Sequence, residues 1–352
     1  MINWSASMKQ SFEFYIVDPV TWKDVRRLDN VTKVDIKRDS SHETLGSASI
    51  SCTETMGECY IRTYLIAIQN GVTEKVPLGT FLVQTPSKNF DGKNEEITMD
   101  AYTPLIELKG VLPPIGYSLL KDEEIMTTAS RLCRENMRPP VVHTDSDKVL
   151  STDFVSNVDD TWLSYISDLV ACAKYKFGLD EMSRIIFEPD QDMASLQAVW
   201  TYDDGNSSIL YPSITDEHDL YGIPNVVEVV YSTDHGHMFS RVVNDDENSP
   251  VSTVNRGREV THRVSDPSFP GMPTQEYIDE YATNLLRSLS SLEHTITYKH
   301  GYCPVRVGDC VILNYEKAGI ENIKAKVISQ NISCETGCPV EETAVYTTKL
   351  WR

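Results

Sequence analysis

Two strand-like runs are joined through Asn70-Gly71, and that junction constrains the fold of this chain more than any other feature. A two-residue turn between twisted strands needs positive φ at both central residues, which Asn-Gly adopts at little cost. Tyr64 to Gln69 therefore reads as one arm of a hairpin, and Thr80-Phe81-Leu82-Val83-Gln84 as the strand that follows. Phe12 to Val17 and Ala48 to Thr53 precede them, the latter alternating with period two, and Asp91-Gly92 predicts a second hairpin into Glu96 to Tyr102. Several short strands at this spacing predict a closed or half-closed barrel over residues 1–112.

The period changes after Pro113-Pro114. Asp122 is placed to cap a helix that carries Ile125, Ala129, Leu132 and Cys133 on one face, with Glu123 and Glu124 near the positive end of its dipole. A second helix follows Asp160, where Trp162, Leu163, Ile166, Leu169, Val170 and Ala173 form a wide apolar stripe. Strands at Tyr175 to Leu179 and Arg184 to Phe187 complete a small α+β domain over 113–195. Strand patterns return over 196–352, notably Val226 to Tyr231, Met238 to Val243, Val311 to Leu313, Ala325 to Ile328 and Ala344 to Tyr346. A helix over 274–292 interrupts them, with Thr274 as its cap and Ile278, Tyr281, Leu285, Leu289 and Leu292 at helical spacing. The fold class is mainly β with an α+β insertion.

The apolar stretches are too short and too interrupted to span a membrane, so no membrane anchor is expected. The N-terminus has no cleavable signal pattern, and eight Cys in 352 residues are too sparse for a disulfide scaffold. Folding in a reducing cytoplasm is expected. The formal net charge is −20, with 20 acidic and 6 basic side chains falling within 151–260. Such a field opposes a grip on nucleic acid through phosphates, which needs Lys and Arg to displace counterions. It suits either a solvated acidic face or a surface along which DNA slides without adsorbing.

There is no phosphate loop, dinucleotide fingerprint, G-x-S-x-G elbow or H-E-x-x-H, so neither an enzyme nor a cofactor is expected. Carboxylate pairs at Asp159-Asp160, Asp203-Asp204 and Asp245-Asp246-Glu247 stand in polar, turn-like contexts and read as caps and loops. Cys303, Cys310, Cys334 and Cys338 crowd the last fifty residues, where they offer a metal site, a bridge or buried free thiols. His235 and His237 flank Gly236 in a turn and read as surface histidines in preference to a chelating pair.

Three stretches, in order, resemble the hub proteins of phage tails and prophage tail-like particles. Pro77 to Gln84, then Ile97 to Leu108, is similar to a G-x-F-x-V strand, a hairpin, and a strand leaving through Leu-x-x-Leu. Asp219 to Val230 is similar to the strand that returns to the barrel framework after the inserted domain. The helix at 274–292 with Val305 to Leu313 is similar to the family's helix and G-D-x-V strand. The resemblance implies two tube-like β-barrel units interrupted by the α+β domain, and a homotrimer whose six barrels form a pseudo-hexameric ring. It implies a virion tail protein, assembled in the bacterial host cytoplasm, that joins a sixfold tail tube to a threefold tip. The partners implied are the tail tube or distal tail protein on one side and a tip, fibre or tape-measure protein on the other. Asp203, Asp204, Asp245, Asp246 and Glu247 are then candidates to line the lumen through which DNA passes without specific binding. A distal tail adaptor, or a tail component that binds or cleaves glycans, is the alternative.

Overall fold

The structure, a computed structural model, describes residues 2–54, 56–90, 92, 95–205, 207–233, 236–269 and 272–351. Asp91, Asp234 and His235 lie outside the described residues, and with them the predicted Asp91-Gly92 turn and one of the two turn histidines.

The N-terminal strands are β1 (Lys9–Val17), β2 (Asp24–Leu28), β3 (Val31–Asp39), β4 (Gly46–Cys52), β5 (Cys59–Gln69), β6 (Val72–Phe90) and β7 (Glu95–Tyr102). The β5–β6 turn is as expected: Gln69 pairs with Val72, and Asn70 and Gly71 take φ of 51° and 78°. Farther along β6 the ladder slips one residue opposite Thr63 and Tyr64, and Gly79 absorbs the bulge at φ 144°. An added Cβ there would lie 2.7 Å from the Phe81 ring, so the glycine of the Pro77-Leu-Gly-Thr-Phe stretch is fixed by backbone geometry.

After α1 (Ile106–Lys109) come β8 (Ser118–Leu119), α2 (Ile125–Asn136), β9 (Phe154–Val155), α3 (Trp162–Ala171), β10 (Tyr175–Leu179) and β11 (Ile185–Pro189). Their core joins Leu105 and Leu108 to Ile125, Ala129, Leu132, Cys133, Trp162, Ile166, Leu169, Phe177 and Phe187. Asp122 does not cap α2. It sits at φ 69°, the N-cap is Glu124, and Glu123 Oε1 accepts the Leu120 N–H at 2.9 Å. The β10–β11 turn anchors on the N-terminal strands. Met182 O accepts Trp22 Nε1–H and Thr80 Oγ1–H at 2.9 Å each, and Ser183 Oγ accepts Thr80 N–H at 2.8 Å.

The remaining elements are β12 (Ala198–Asp203), β13 (Leu210–His218), β14 (Val226–Thr233), β15 (Gly236–Val243), α4 (Thr253–Arg256), β16 (Thr261–Ser265), α5 (Gln275–Leu289), β17 (Ser291–Gly301), β18 (Cys310–Tyr315), β19 (Ile320–Ser333) and β20 (Pro339–Lys349). The chain divides into two compact units, Met1–Ile214 with Tyr298–Thr343, and Thr215–Thr297 with Ala344–Arg352. In the first, one sheet runs β2-β1-β5-β6-β7-β4-β3-β19, with β18 and then β12 beside the other end of β19. From β19 the path also continues through β20 and β17 to β13. C-terminal residues thereby enter the N-terminal core: Tyr302, Ile332, Cys334, Cys338 and Val340 pack with Val34, Ile50, Ile61, Leu65 and Met99.

In the second unit, β14 pairs antiparallel with β15 and parallel with β16. Ile278, Ala282 and Leu286 of α5 pack on Val227 and Val229. Thr274 caps α5 by accepting the Tyr277 N–H, as expected. The helix ends at Leu289, three residues before the predicted end. Leu292 belongs to β17, whose buried positions Leu292, His294, Ile296, Tyr298 and His300 alternate with period two.

Candidate functional site

The five carboxylates Asp203, Asp204, Asp245, Asp246 and Glu247 sit at the end of β12 and in the loops that follow β12 and β15. Asp203 ends β12 and its Oδ1 accepts the Gly205 N–H at 2.8 Å, while Asp246 Oδ1 accepts the Asn248 N–H at 2.8 Å. Asp203, Asp245 and Glu247 are exposed, and Asp204 and Asp246 half-exposed. None of the five forms an ion pair among the described residues, so their charge is presented to solvent.

The four C-terminal cysteines are buried free thiols. Cys334 and Cys338 flank a turn and pack into the N-terminal core. Burial pushes the Cys338 thiol up to about 12 against the pull of Arg38, and raises Cys334 and Cys310 as well, so these three carry their protons at neutral pH. Cys303 lies in a buried polar centre with Tyr202, Tyr298, His300, Gln330 and Glu342, all at most 2% exposed.

At this centre Tyr298 donates to Glu342 Oε1, Gln330 Nε2 donates to Glu342 Oε2 at 2.7 Å, and His300 Nε2 stands 3.5 Å from the same oxygen. Tyr202 OH bridges His300 Nε2 at 3.1 Å and Cys303 Sγ at 3.2 Å, and the other imidazole nitrogen, Nδ1, is 2.8 Å from Gly301 O. Burial alone would lower the His300 pKa. Hydrogen bonds to Cys303 and Glu342 outweigh it and hold the imidazole at about 10, so a protonated histidine faces a carboxylate. Burial, reinforced by the Glu342 charge, holds both Tyr hydroxyls well above their ordinary range. The centre has no opening for a substrate, since every member is buried. What it can do is fix the register of β12, β17, β19 and β20, whose side chains it ties together.

A second feature is apolar and exposed. Around the short β8–β9 ladder, Leu112, Ile115 and Leu120 are 61%, 93% and 63% exposed, and Val155 and Val158 are 57% and 80% exposed. Ser118 pairs with Val155 on the outer face of the ladder, Leu119 turns into the core, and the exposed Leu120 follows directly after β8. Apolar exposure of this kind is a feature of surfaces that contact another protein, a membrane or a ligand. A cleft of about 360 Å³ also opens among Leu45, Phe81, Phe177, Glu188 and Arg306. At its rim Glu181 pairs with Arg306 and Asp180 with Arg184, and burial raises the pKa of the Glu188 carboxyl in its lining.

Solved structures that superpose on this chain include tail proteins. The 43 kDa tail protein of prophage MuSo2 from Shewanella oneidensis superposes with a TM-score of 0.62 at 10% identity, over 96% of this chain and 98% of that one. The tail protein from Neisseria meningitidis MC58 superposes at 0.60 and 11%, over 96% and 97%. The chain has the fold of these tail proteins. A Francisella PdpA–VgrG complex matches at 0.54 and 7% identity, over 98% of this chain and 58% of that one. No protein-family model and no curated protein matches the sequence.

Sequence reasoning missed the buried centre and the exposed ladder. Tyr298 and His300 at inward positions of an alternating strand were the available signal for the first. Val111-Leu-Pro-Pro-Ile115, apolar residues around a helix-breaking pair, was the signal for the second. Among the described residues, the side chains close enough to share one metal ion are Asp216, His218 and His294, and no cysteine is among them.

Proposed function

We propose that the chain is a non-enzymatic structural subunit of a phage tail or related injection machine, and that it serves as the hub at the tail tip. The carrying observation is the end-to-end superposition on two tail proteins, which leaves only about 4% of this chain unmatched in each case. In this reading three copies form a ring in the virion tail, assembled in the host cytoplasm. Residues 1–112 and 196–352 supply its wall segments, and 113–195 is the insertion. The ladder between β19 and β3, in which Ile332 faces Ile36, supports a wall built from both strand-rich portions. The tail tube or distal tail protein docks on one side, and a tip, fibre or tape-measure protein on the other.

The solvent-facing carboxylates Asp203, Asp204, Asp245, Asp246 and Glu247 fit a lumen that repels DNA, because like charge prevents adsorption. The exposed apolar residues beside β8 and β9 fit a contact between copies. The test is the mass of the purified protein by light scattering on a sizing column. A species of three times the 39.7 kDa chain is expected. A hexamer would reassign the chain as a distal tail adaptor, and a monomer at assembly concentrations would overturn the ring.

A further inference from the structure

The strands β13, β17 and β20 are consecutive neighbours, and in their second-unit segments each carries a polar side chain that meets the others at one spot. Asp216 and His218 stand two residues apart on β13 and so share a face, as do Tyr346 and Thr348 on β20. His294, between them on β17, is 9% exposed, whereas Asp216 and His218 are open to solvent.

His294 Nε2 is held by Thr348 Oγ1 at 3.0 Å, which leaves Nδ1 directed at Asp216 Oδ1, 3.2 Å away. Tyr346 stacks on the His294 ring with centroids 4.4 Å apart, and its hydroxyl lies 2.7 Å from Asp216 Oδ2 and 3.0 Å from His294 Nδ1. The His218 ring packs at 4.8 Å from that of His294. A neutral imidazole carrying its proton on Nδ1 satisfies these contacts, and the opposite tautomer, with Nε2–H donating to Thr348 Oγ1, frees the Nδ1 lone pair for a cation shared with Asp216. The ligand atoms of Asp216, His218 and His294 all lie within 4.8 Å of one another.

We propose that Asp216, His218 and His294 bind one divalent transition-metal ion of the zinc class, which pins β13 to β17. Two imidazoles and one carboxylate suit Zn²⁺, Co²⁺ or Ni²⁺ better than Ca²⁺ or Mg²⁺, which prefer all-oxygen shells. Bonds of about 2.1 Å set ligand atoms at most roughly 4.2 Å apart. Closing onto the ion takes a small rotation of the two exposed side chains, while His294 stays in place. Thr348 and Tyr346 act as positioning residues: Thr348 holds His294 through Nε2 and Tyr346 holds Asp216 through Oδ2, while the ion takes the Nδ1 that the Tyr346 hydroxyl otherwise meets at 3.0 Å. Water completes the coordination on the exposed side. The role is structural, and it stands whether or not the chain is a tail hub.

The test uses the full-length protein stripped with a chelator and titrated calorimetrically with ZnCl₂, with CoCl₂ absorption as a second readout. One equivalent is expected to bind, to bring visible Co²⁺ bands and to raise the melting temperature. His218→Ala, an exposed change that keeps the fold, should weaken binding at least ten-fold and abolish the thermal shift. His294→Ala should do the same, and Tyr346→Phe should weaken binding less. Absence of one-equivalent binding overturns the proposal. So does binding that survives His218→Ala but is lost on alkylation of the cysteines, which would move the ion to the thiols.

Discussion

Glu342 keeps none of its surface in water, and its charge is tolerated because three neighbours answer it. Tyr298 and Gln330 donate to its two oxygens, and the protonated His300 stands beside one of them. Removing one side of such a pair costs far more than the pair contributes net, since the other charge stays buried without an answer. Glu342→Gln should therefore lower stability by about 3 kcal/mol, read as a lower urea midpoint at neutral pH, with secondary structure retained below the transition. The pH dependence has a fixed sign. His300 titrates near 10 when folded, against about 6.5 unfolded, so its contribution is complete below the unfolded value and is lost as pH climbs toward the folded one. Between pH 7 and 9 the native protein should lose stability at up to about 1.4 kcal/mol per unit from this group. The Glu342→Gln variant should show a flatter slope. Equal slopes in the two proteins would mean that His300 is not held protonated by this carboxylate.

Among the elements, α3 carries the clearest link from sequence to stability. Thr161 accepts the Ser164 N–H while Ser164 Oγ accepts the Thr161 N–H, a reciprocal cap that starts the helix just where Trp162, Leu163 and Ile166 enter the core. Thr161→Ala should cost about 1 kcal/mol, seen as a lower melting temperature with the helical signal preserved. Thr161→Ser should restore it. This helix was legible in the sequence because its stripe repeats at 3.6 residues, and the β5–β6 hairpin because Asn-Gly permits few alternatives. β2 was not: Asp24-Val-Arg-Arg-Leu28 is a charged edge strand, and charge there protects an edge without advertising a strand. The end of α5 was misjudged because Leu292 satisfies both the helical spacing and the alternation of β17. The buried centre was hidden for a different reason. Tyr202 lies 98 residues from His300 and 140 from Glu342, and only the sheet path brings them together.

At the scale of the whole molecule, if copies of this chain assemble as proposed, their net charge of −20 each makes them repel one another. A surface suited to such contact is the exposed apolar set beside β8 and β9, where Leu120 and Val155 are 63% and 57% exposed and Ile115 is 93% exposed. If that set makes the contact between copies, salt acts in one direction only. Raising ionic strength shortens the screening length from about 10 Å at 0.1 M to about 3 Å at 1 M, which removes repulsion and leaves the apolar contact intact. Self-association should strengthen with NaCl, opposite to a protein that grips nucleic acid through phosphates, whose affinity falls steeply with salt. The combined variant Ile115→Asp with Leu120→Asp, altering only solvent-facing side chains, should stay folded and sediment as a monomer at both ionic strengths. Sedimentation velocity across a concentration series checks both points. Association that weakens with salt would place the contact on ion pairs, and a double variant that still assembles would place it elsewhere on the surface.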